Sequence, residues 1–337
     1  MLLIADLVRD YGDPQAEALR CRQDCALFDF SFVYRVRVSG RDVIRGIEQF
    51  QPRIVSDMSI GQIRYSVRND GQGRVRSDLT LWRFGEDVFE IMSGCKEDIS
   101  ELRAFAGNGF DLDDLSEATA ILAVQGPNTL AQLARVMDVE PLQKLPYFAF
   151  AQAEIAAIPC LVGRLGYSGE AGFELLFAQS EKDRFWALLS RLFAPAGFAA
   201  IDILRIEAGF LLFTNECRVA PTISELGLSA LFNHSIASPE IRLVAFRADT
   251  RSDLDLILWR STVAADRRPG PGEIMVTSAC FSPLFNCVLG LGFVSCGLDY
   301  ESVIDPMNQF LNVKLCSLPP YDPHKSRPRR PWRGLPR

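Results

Sequence analysis

The sequence predicts an α+β protein whose last third is all-β. Three observations carry that reading. Strand-like runs come in neighbouring pairs joined by turn residues, as antiparallel sheets require. Helical stretches are few and do not alternate with strands; neither G-x-G-x-x-G nor G-x-x-x-x-G-K-[ST] occurs, so the doubly wound nucleotide-binding folds lose their phosphate cradles. From about residue 240 the pattern changes to short strands and turns.

Taken in order, residues 14–26 read as a helix through Ala16, Leu19 and Cys25, followed by an apolar strand over 27–32 and an alternating one over 33–38. Gly40 opens a helix with Val43, Ile44, Ile47 and Phe50 on one face. Residues 64–68 and 79–84 flank Asn69-Asp70-Gly71-Gln72-Gly73, a hairpin signal. Residues 89–92 are a strand and 98–105 a helix. The strand 120–124 stops at Gly126-Pro127, with Asn128 placed to cap a helix holding Leu130, Leu133 and Met137. Strands at 155–164 and 173–177 surround a glycine-rich segment. Ser180 and Asp183 start the next helix in the manner of a capping box, and 199–213 is a further apolar helix. The β-rich end holds strands at 242–247, 257–260, 274–278, 288–294 and 310–316.

Length and composition bound the function. The 337 residues allow two or three domains, and 48% hydrophobic with 23% charged residues at a mean hydropathy of +0.08 excludes global disorder. No apolar run approaches the roughly 18 residues of a membrane span. The start, MLLIADLVRD, lacks a basic lead and is cut by Asp6, so a cytoplasmic location is expected. Net charge is −6, yet the last thirteen residues carry six basic side chains and no acid. The rest of the chain is therefore strongly acidic, which argues against a nucleic-acid partner, and the tail reads as a solvated, disordered extension. Two histidines, His234 and His324, are too few for an imidazole-rich metal centre, and no metal site is expected. His234 is the one plausible base for a serine triad, and no G-x-S-x-G accompanies it. The nine cysteines include no C-x-x-C and read as small buried hydrophobes.

Six segments, in order, resemble the glycine cleavage T-protein (aminomethyltransferase) superfamily of tetrahydrofolate-binding proteins. They are Leu27-Phe28-Asp29-Phe30-Ser31, Ile121 to Asn128, Gly166-Tyr167-Ser168-Gly169-Glu170-Ala171-Gly172-Phe173-Glu174, Asp202 to Gly209, Asn215-Glu216, and Thr277 to Pro283. The resemblance implies three domains around a central folate channel. A discontinuous folate-binding α+β domain spans 1–40 and 144–238, an α+β domain is inserted at 41–143, and a C-terminal barrel or jelly-roll-like β domain covers 239–322, followed by the basic tail 323–337. Glu174 is the implied acceptor for adjacent pterin N–H donors, a geometry one carboxylate can satisfy with both oxygens. Gly166, Gly169 and Gly172 would let the backbone approach the flat ring. Tyr65 falls where the family has a folate-contacting Tyr and Phe232 where it tends to have Trp, so each either stacks on a folate ring or belongs to the core. Tyr167 is a further cofactor-binding candidate, and Arg205 belongs either to a structural ion pair or to the folate's glutamate end.

Departures from the family pattern qualify the reaction. Where the family has two successive acids this chain has Ser77-Asp78, so Ser77 occupies the place of the acid on which the reaction leans, and alternation along a strand turns Asp78 the other way. Phe32 replaces a family His, Ile201 an Arg, and Ser93-Gly94 an Asn-Ala pair. With Ser77 and Asp78 as its catalytic candidates, the expected function is tetrahydrofolate-dependent methyl or aminomethyl transfer from a small one-carbon donor, distinct from the housekeeping glycine-cleavage step. The alternative is a non-catalytic folate-binding accessory protein of the iron–sulfur maintenance kind. Against it, Phe213-Thr214-Asn215-Glu216-Cys217 lacks the Lys-Gly-Cys of that class.

Overall fold

The Asp13 carboxylate accepts hydrogen bonds from the amides of Gln15 (2.9 Å) and Ala16 (3.2 Å), and Pro14 fills the first helical position, where no amide is needed. Helix α1 (Pro14–Gln23) starts there. The computed structural model describes residues 6–106, 109–232, 238–265, 267–297 and 300–332; His234 lies outside them. After α1 come β1 (Ala26–Asp29), β2 (Tyr34–Ser39), α2 (Val43–Phe50), β3 (Ile63–Asn69), β4 (Val75–Gly85), β5 (Val88–Ser93), α3 (Lys96–Phe105), β6 (Asp111–Asp114) and β7 (Thr119–Gln125). The short helices α4 (Thr129–Leu133) and α5 (Glu140–Lys144) lead to β8 (Phe150–Ile155), β9 (Ile158–Gly163) and β10 (Gly172–Ala178). Then follow α6 (Lys182–Leu189), β11 (Ala194–Pro195), α7 (Phe198–Glu207), β12 (Ile241–Thr250), β13 (Ile274–Ser282), β14 (Cys287–Ser295) and β15 (Phe310–Cys316).

Three sheets result. The first runs β11-β1-β7-β10-β9-β8 and is antiparallel except for the β1–β11 pair; the second runs β3-β4-β5-β2-β6; the third runs β13-β14-β12-β15, the last two antiparallel throughout. The fold is α+β with an antiparallel C-terminal sheet, as the sequence predicts. Inner faces of the first two sheets share one core, in which Phe28, Ala123, Leu161 and Leu176 meet Ile63, Val67 and Trp82. Behind the second sheet a separate core of Val36, Leu79, Leu81 and Ile91 packs under α2 and α3 through Ile47 and Leu102.

Several expectations change in detail. Strand β2 pairs within the second sheet and β7 within the first, so the strands of the second sheet lie within residues 34–114. Helix α7 stops at Glu207 rather than continuing to 213, and Gly209 takes the left-handed turn (φ +66°). Residues 257–260 form a turn, with Leu258 at φ +53° and Trp259 packed edge-on against Phe310. Asn128 does not cap its helix; its amide donates to Asp24 Oδ1 at 2.9 Å.

The largest correction concerns the basic tail. Its described part, up to Trp332, is a packed strap. Arg164, itself buried, donates through Nη2 to the carbonyls of Arg330 (2.6 Å) and Pro328 (3.4 Å), and Trp332 stacks on Phe173 at 5.4 Å. Arg329 lies over Tyr147 and Lys325 over Phe210. Cation–π and main-chain contacts hold a segment that is poor in aliphatic side chains.

Candidate functional site

On β10, Phe173, Leu175 and Phe177 point into the outer core, so alternation turns Glu174 and Leu176 inward. Glu174 is flanked by two small residues, Ala123 on β7 and Gly163 on β9. Trp82 on β4 covers Gly163: a Cβ there would lie 2.2 Å from its ring. Among the described residues the Glu174 carboxylate has no hydrogen bond and no ion pair, and burial alone pushes its pKa up to about 7. Tyr147, on which the Glu174 charge acts, is pushed up to about 12, again mainly by burial.

On β4, Asp78 and Trp82 share a face, so the Asp78 carboxylate enters the same space between the sheets. The Tyr65 hydroxyl on β3 lies near it, as do Tyr167 and Glu216. Burial, reinforced by the charges of Asp98 and Glu216, raises Asp78 to about 7 against the opposing effect of the Tyr65 hydroxyl. Tyr65 is raised well above its ordinary value, first by burial and then by Asp78. Tyr167 stacks on Phe210 at 6.0 Å and donates its hydroxyl to the Leu211 carbonyl.

Asp78, Tyr65 and Tyr167 are thus brought together, with Glu174 facing the same space. Ser77 is not part of this group. It is fully buried on the opposite face, where its hydroxyl contacts both Asp98 oxygens at 2.8 and 2.7 Å. Neighbouring residues do face opposite ways, as the sequence requires: Asp78 faces the space between the sheets and Ser77 faces α3.

Arg205 is wholly buried and its donors are committed. Nε binds Asp202 (2.9 Å), Nη1 binds Glu216 (2.9 Å) and Nη2 binds Ser278 (2.7 Å), tying α7 to β13. Two carboxylates raise its pKa against the desolvation cost. The structural alternative for Arg205 is the one observed. Phe232 is buried in the shared core, with the Arg53 guanidinium 5.6 Å from its ring. The glycine motif also serves packing rather than ring approach. A Cβ on Gly166 would lie 1.9 Å from Gln125 Oε1 and one on Gly172 2.4 Å from the Val124 carbonyl, while Gly169 adopts φ +80° beside Ala208. Gln125 is held by Ser168 (2.9 Å), which fixes the loop before Glu174.

Sequence reasoning missed a second buried network. Arg22 on α1 binds Glu207 (2.9 Å) and Glu170 (3.1 Å), and Tyr321, whose ring lies under Arg22, donates to Glu170. The motif acid Glu170 is thereby an anchor for the C-terminal strap. Two cavities open at the surface. One of about 620 Å³ is bounded by Arg35, Arg37, Phe84 and Leu176; one of about 320 Å³ is bounded by Tyr11, Phe28, Phe32, Phe198 and Ile201. Neither includes Glu174 or Asp78, but Phe32 and Ile201, both departures from the family pattern, share the second.

Residues 10–235 match the family described as the GCVT N-terminal domain. The chain belongs to that family. It is 32% identical over 222 residues to the aminomethyltransferase of Exiguobacterium sibiricum, covering 65% of this chain and 61% of that protein. To the aminomethyltransferase of Thermosipho melanesiensis it is 26% identical over 336 residues, covering 92% and 90%. The fold is similar to that of the glycine cleavage system aminomethyltransferase T of Bartonella henselae, with a TM-score of 0.77 at 22% identity over 95% of this chain and 91% of that one. The chain thus spans about three fifths of the length of the first of these relatives, and nearly all of the other two. Among the described residues no helix is long and apolar enough to cross a membrane, and no cluster of His, Cys, Asp and Glu is arranged to hold a metal ion.

Proposed function

We propose that this protein is a tetrahydrofolate-dependent transferase moving a methyl or aminomethyl group from a small-molecule donor. The observation that carries the reading is a pair of inward carboxylates, Glu174 and Asp78, that no cation among the described residues neutralises. A carboxylate kept unpaired inside a protein costs stability, and such groups concentrate where a ligand or a reaction uses them. Glu174, between the small residues Ala123 and Gly163, suits the edge of a pterin: two acceptor oxygens without a partner among the described residues. Bound tetrahydrofolate would supply the nitrogen that receives the one-carbon unit. Glu174 would orient the ring by its N–H groups, and Tyr65 and Tyr167 would border its aromatic part.

Asp78, with a pKa near the working pH, is the group able to take or hold a proton, or to stabilise positive charge on a donor. Its placement supports an enzyme over the accessory-protein reading, which rested on Ser77. The change of a family His and Arg to Phe32 and Ile201 at one aromatic cavity supports a donor other than that of the housekeeping step.

Calorimetry with tetrahydrofolate tests the reading. The wild type should bind in the micromolar range, and Glu174→Gln should weaken binding roughly 10- to 100-fold, the loss of a charged hydrogen bond. Asp78→Asn should retain binding while lowering transfer by about 10²–10⁴. A wild type that does not bind tetrahydrofolate overturns the proposal.

A further inference from the structure

We propose that Asp98 is a positioning residue of the candidate site: from the far face of the second sheet it clamps β4 to β5 through Ser77 and Ser93 and so fixes where Asp78 presents its carboxylate. The inference rests on the assignment of Asp78 under the proposed function and adds a second acid to that site.

The geometry is specific. Asp98 lies in the first turn of α3 and is 3% exposed. It accepts the Ser77 hydroxyl on β4 and, at 2.6 Å, the Ser93 hydroxyl at the end of β5. Ser77 immediately precedes Asp78. Ser93 pairs with Leu79, which immediately follows it, and Ser93 Oγ lies 3.4 Å from the Asp78 carbonyl. Ser93 also accepts the Cys95 amide at 3.0 Å, which locks the turn into α3. The clamp therefore grips β4 on both sides of Asp78 while touching none of the atoms that would react.

The clamp is also charged. Its two partners are neutral hydroxyls. The nearest cation, Arg68, is bound to Glu101 at 2.7 Å and to the Asn69 carbonyl. Burial raises the Asp98 pKa, and the two serines oppose the rise by holding the anion. Asp98 is faced by Ser77, Ser93, Cys95, Glu101 and Arg68; Asp78 is faced by Tyr65, Tyr167, Glu216 and Cys217, and the Asp98 charge acts on it from across the sheet. Asp98 is therefore one of the like charges that make a proton on Asp78 favourable.

The direct test is carbon-13 NMR titration of the Asp78 carboxyl in the ligand-free protein, its signal assigned by its loss in Asp78→Asn. In Asp98→Asn the midpoint should fall by roughly half a unit to one unit, because a like charge is removed. Ser77→Ala should lower kcat several-fold at unchanged tetrahydrofolate affinity, because the carboxylate is still present but less well held. Should Asp98→Asn fail to fold, the doubly substituted Ser77→Ala, Ser93→Ala protein carries the titration, with the Asp78 signal expected to broaden and move. An Asp78 midpoint and a kcat that stay at the wild-type values in these variants overturn the proposal. If the midpoint moves but the wild type binds no tetrahydrofolate, the coupling stands and the functional reading falls.

Discussion

Removing the C-terminal strap should destabilise the protein, although its composition is that of a solvated tail. The perturbation is a chain ending at His324. Three contacts set the magnitude. Loss of the Trp332–Phe173 stack, at 5.4 Å with planes 19° apart, removes about 0.5–1.5 kcal/mol beyond simple area burial. Arg164 loses two carbonyl acceptors and keeps only the Leu145 carbonyl, which leaves part of a buried guanidinium unsatisfied at about 1–3 kcal/mol. The Arg327–Glu170 pair at 3.5 Å adds little, because Arg327 is 42% exposed. Together these give about 2–4 kcal/mol, a fall of roughly 5–10 °C in Tm for the domain concerned. Calorimetry on the full-length and shortened chains reads it directly, and the difference should shrink when Arg164→Met is present in both, since the two changes remove one contact. A shortened protein that melts within a degree of the full chain would show that the strap contacts contribute nothing.

Two further outcomes follow from the buried charges. Glu174 holds its proton to about pH 7 in the native state but releases it near pH 4.5 when unfolded, so the native state carries more protons between those values. Its contribution to ligand-free stability therefore declines as pH rises through that window and is flat above it, and Asp78 acts in the same sense from about 3.8 upward. Glu174→Gln should flatten the decline and be more stable than the wild type at pH 8 by about 1–3 kcal/mol, measured by urea denaturation across pH 5 to 8; parallel curves for the two proteins would contradict the assignment. Glu216→Gln leaves the buried Arg205 with Asp202 as its one full counter-charge and should cost about 3–5 kcal/mol in the same assay, and wild-type stability in that variant would remove the structural role given to Arg205.

The parts of this molecule that were legible in the sequence are those decided locally. Asp13-Pro14 marks the start of α1, and Asn69 to Gly73 marks the β3–β4 hairpin, because caps and turns depend on a few adjacent residues. Strand alternation also separates Ser77 from Asp78, but it cannot say which face looks into the site; that is decided by α3 docking on the far side and presenting Asp98 to Ser77. The strap was misread because composition counts apolar side chains, whereas Arg164 holds main-chain carbonyls that every residue possesses. Gly166 and Gly172 also answer to residues distant in sequence: a side chain would meet Gln125 at the first and the Val124 carbonyl at the second.

The two inward acids of the site differ from the ion-paired acids of the core. Glu90 is held by Arg35 and Arg37, Glu170 and Glu207 by Arg22, and Asp202 and Glu216 by Arg205. Each pairing offsets the desolvation of its carboxylate and so accounts for its presence as structure. Among the described residues Glu174 has no such partner, and Asp78 has a nearby tyrosine hydroxyl and two like charges. The acids that brace these ion-paired networks are neutralised, whereas these two inward positions, on facing sheets of one core, are not. The cost of leaving them so is offset once a ligand with N–H donors, or a centre that turns cationic during transfer, enters between the sheets.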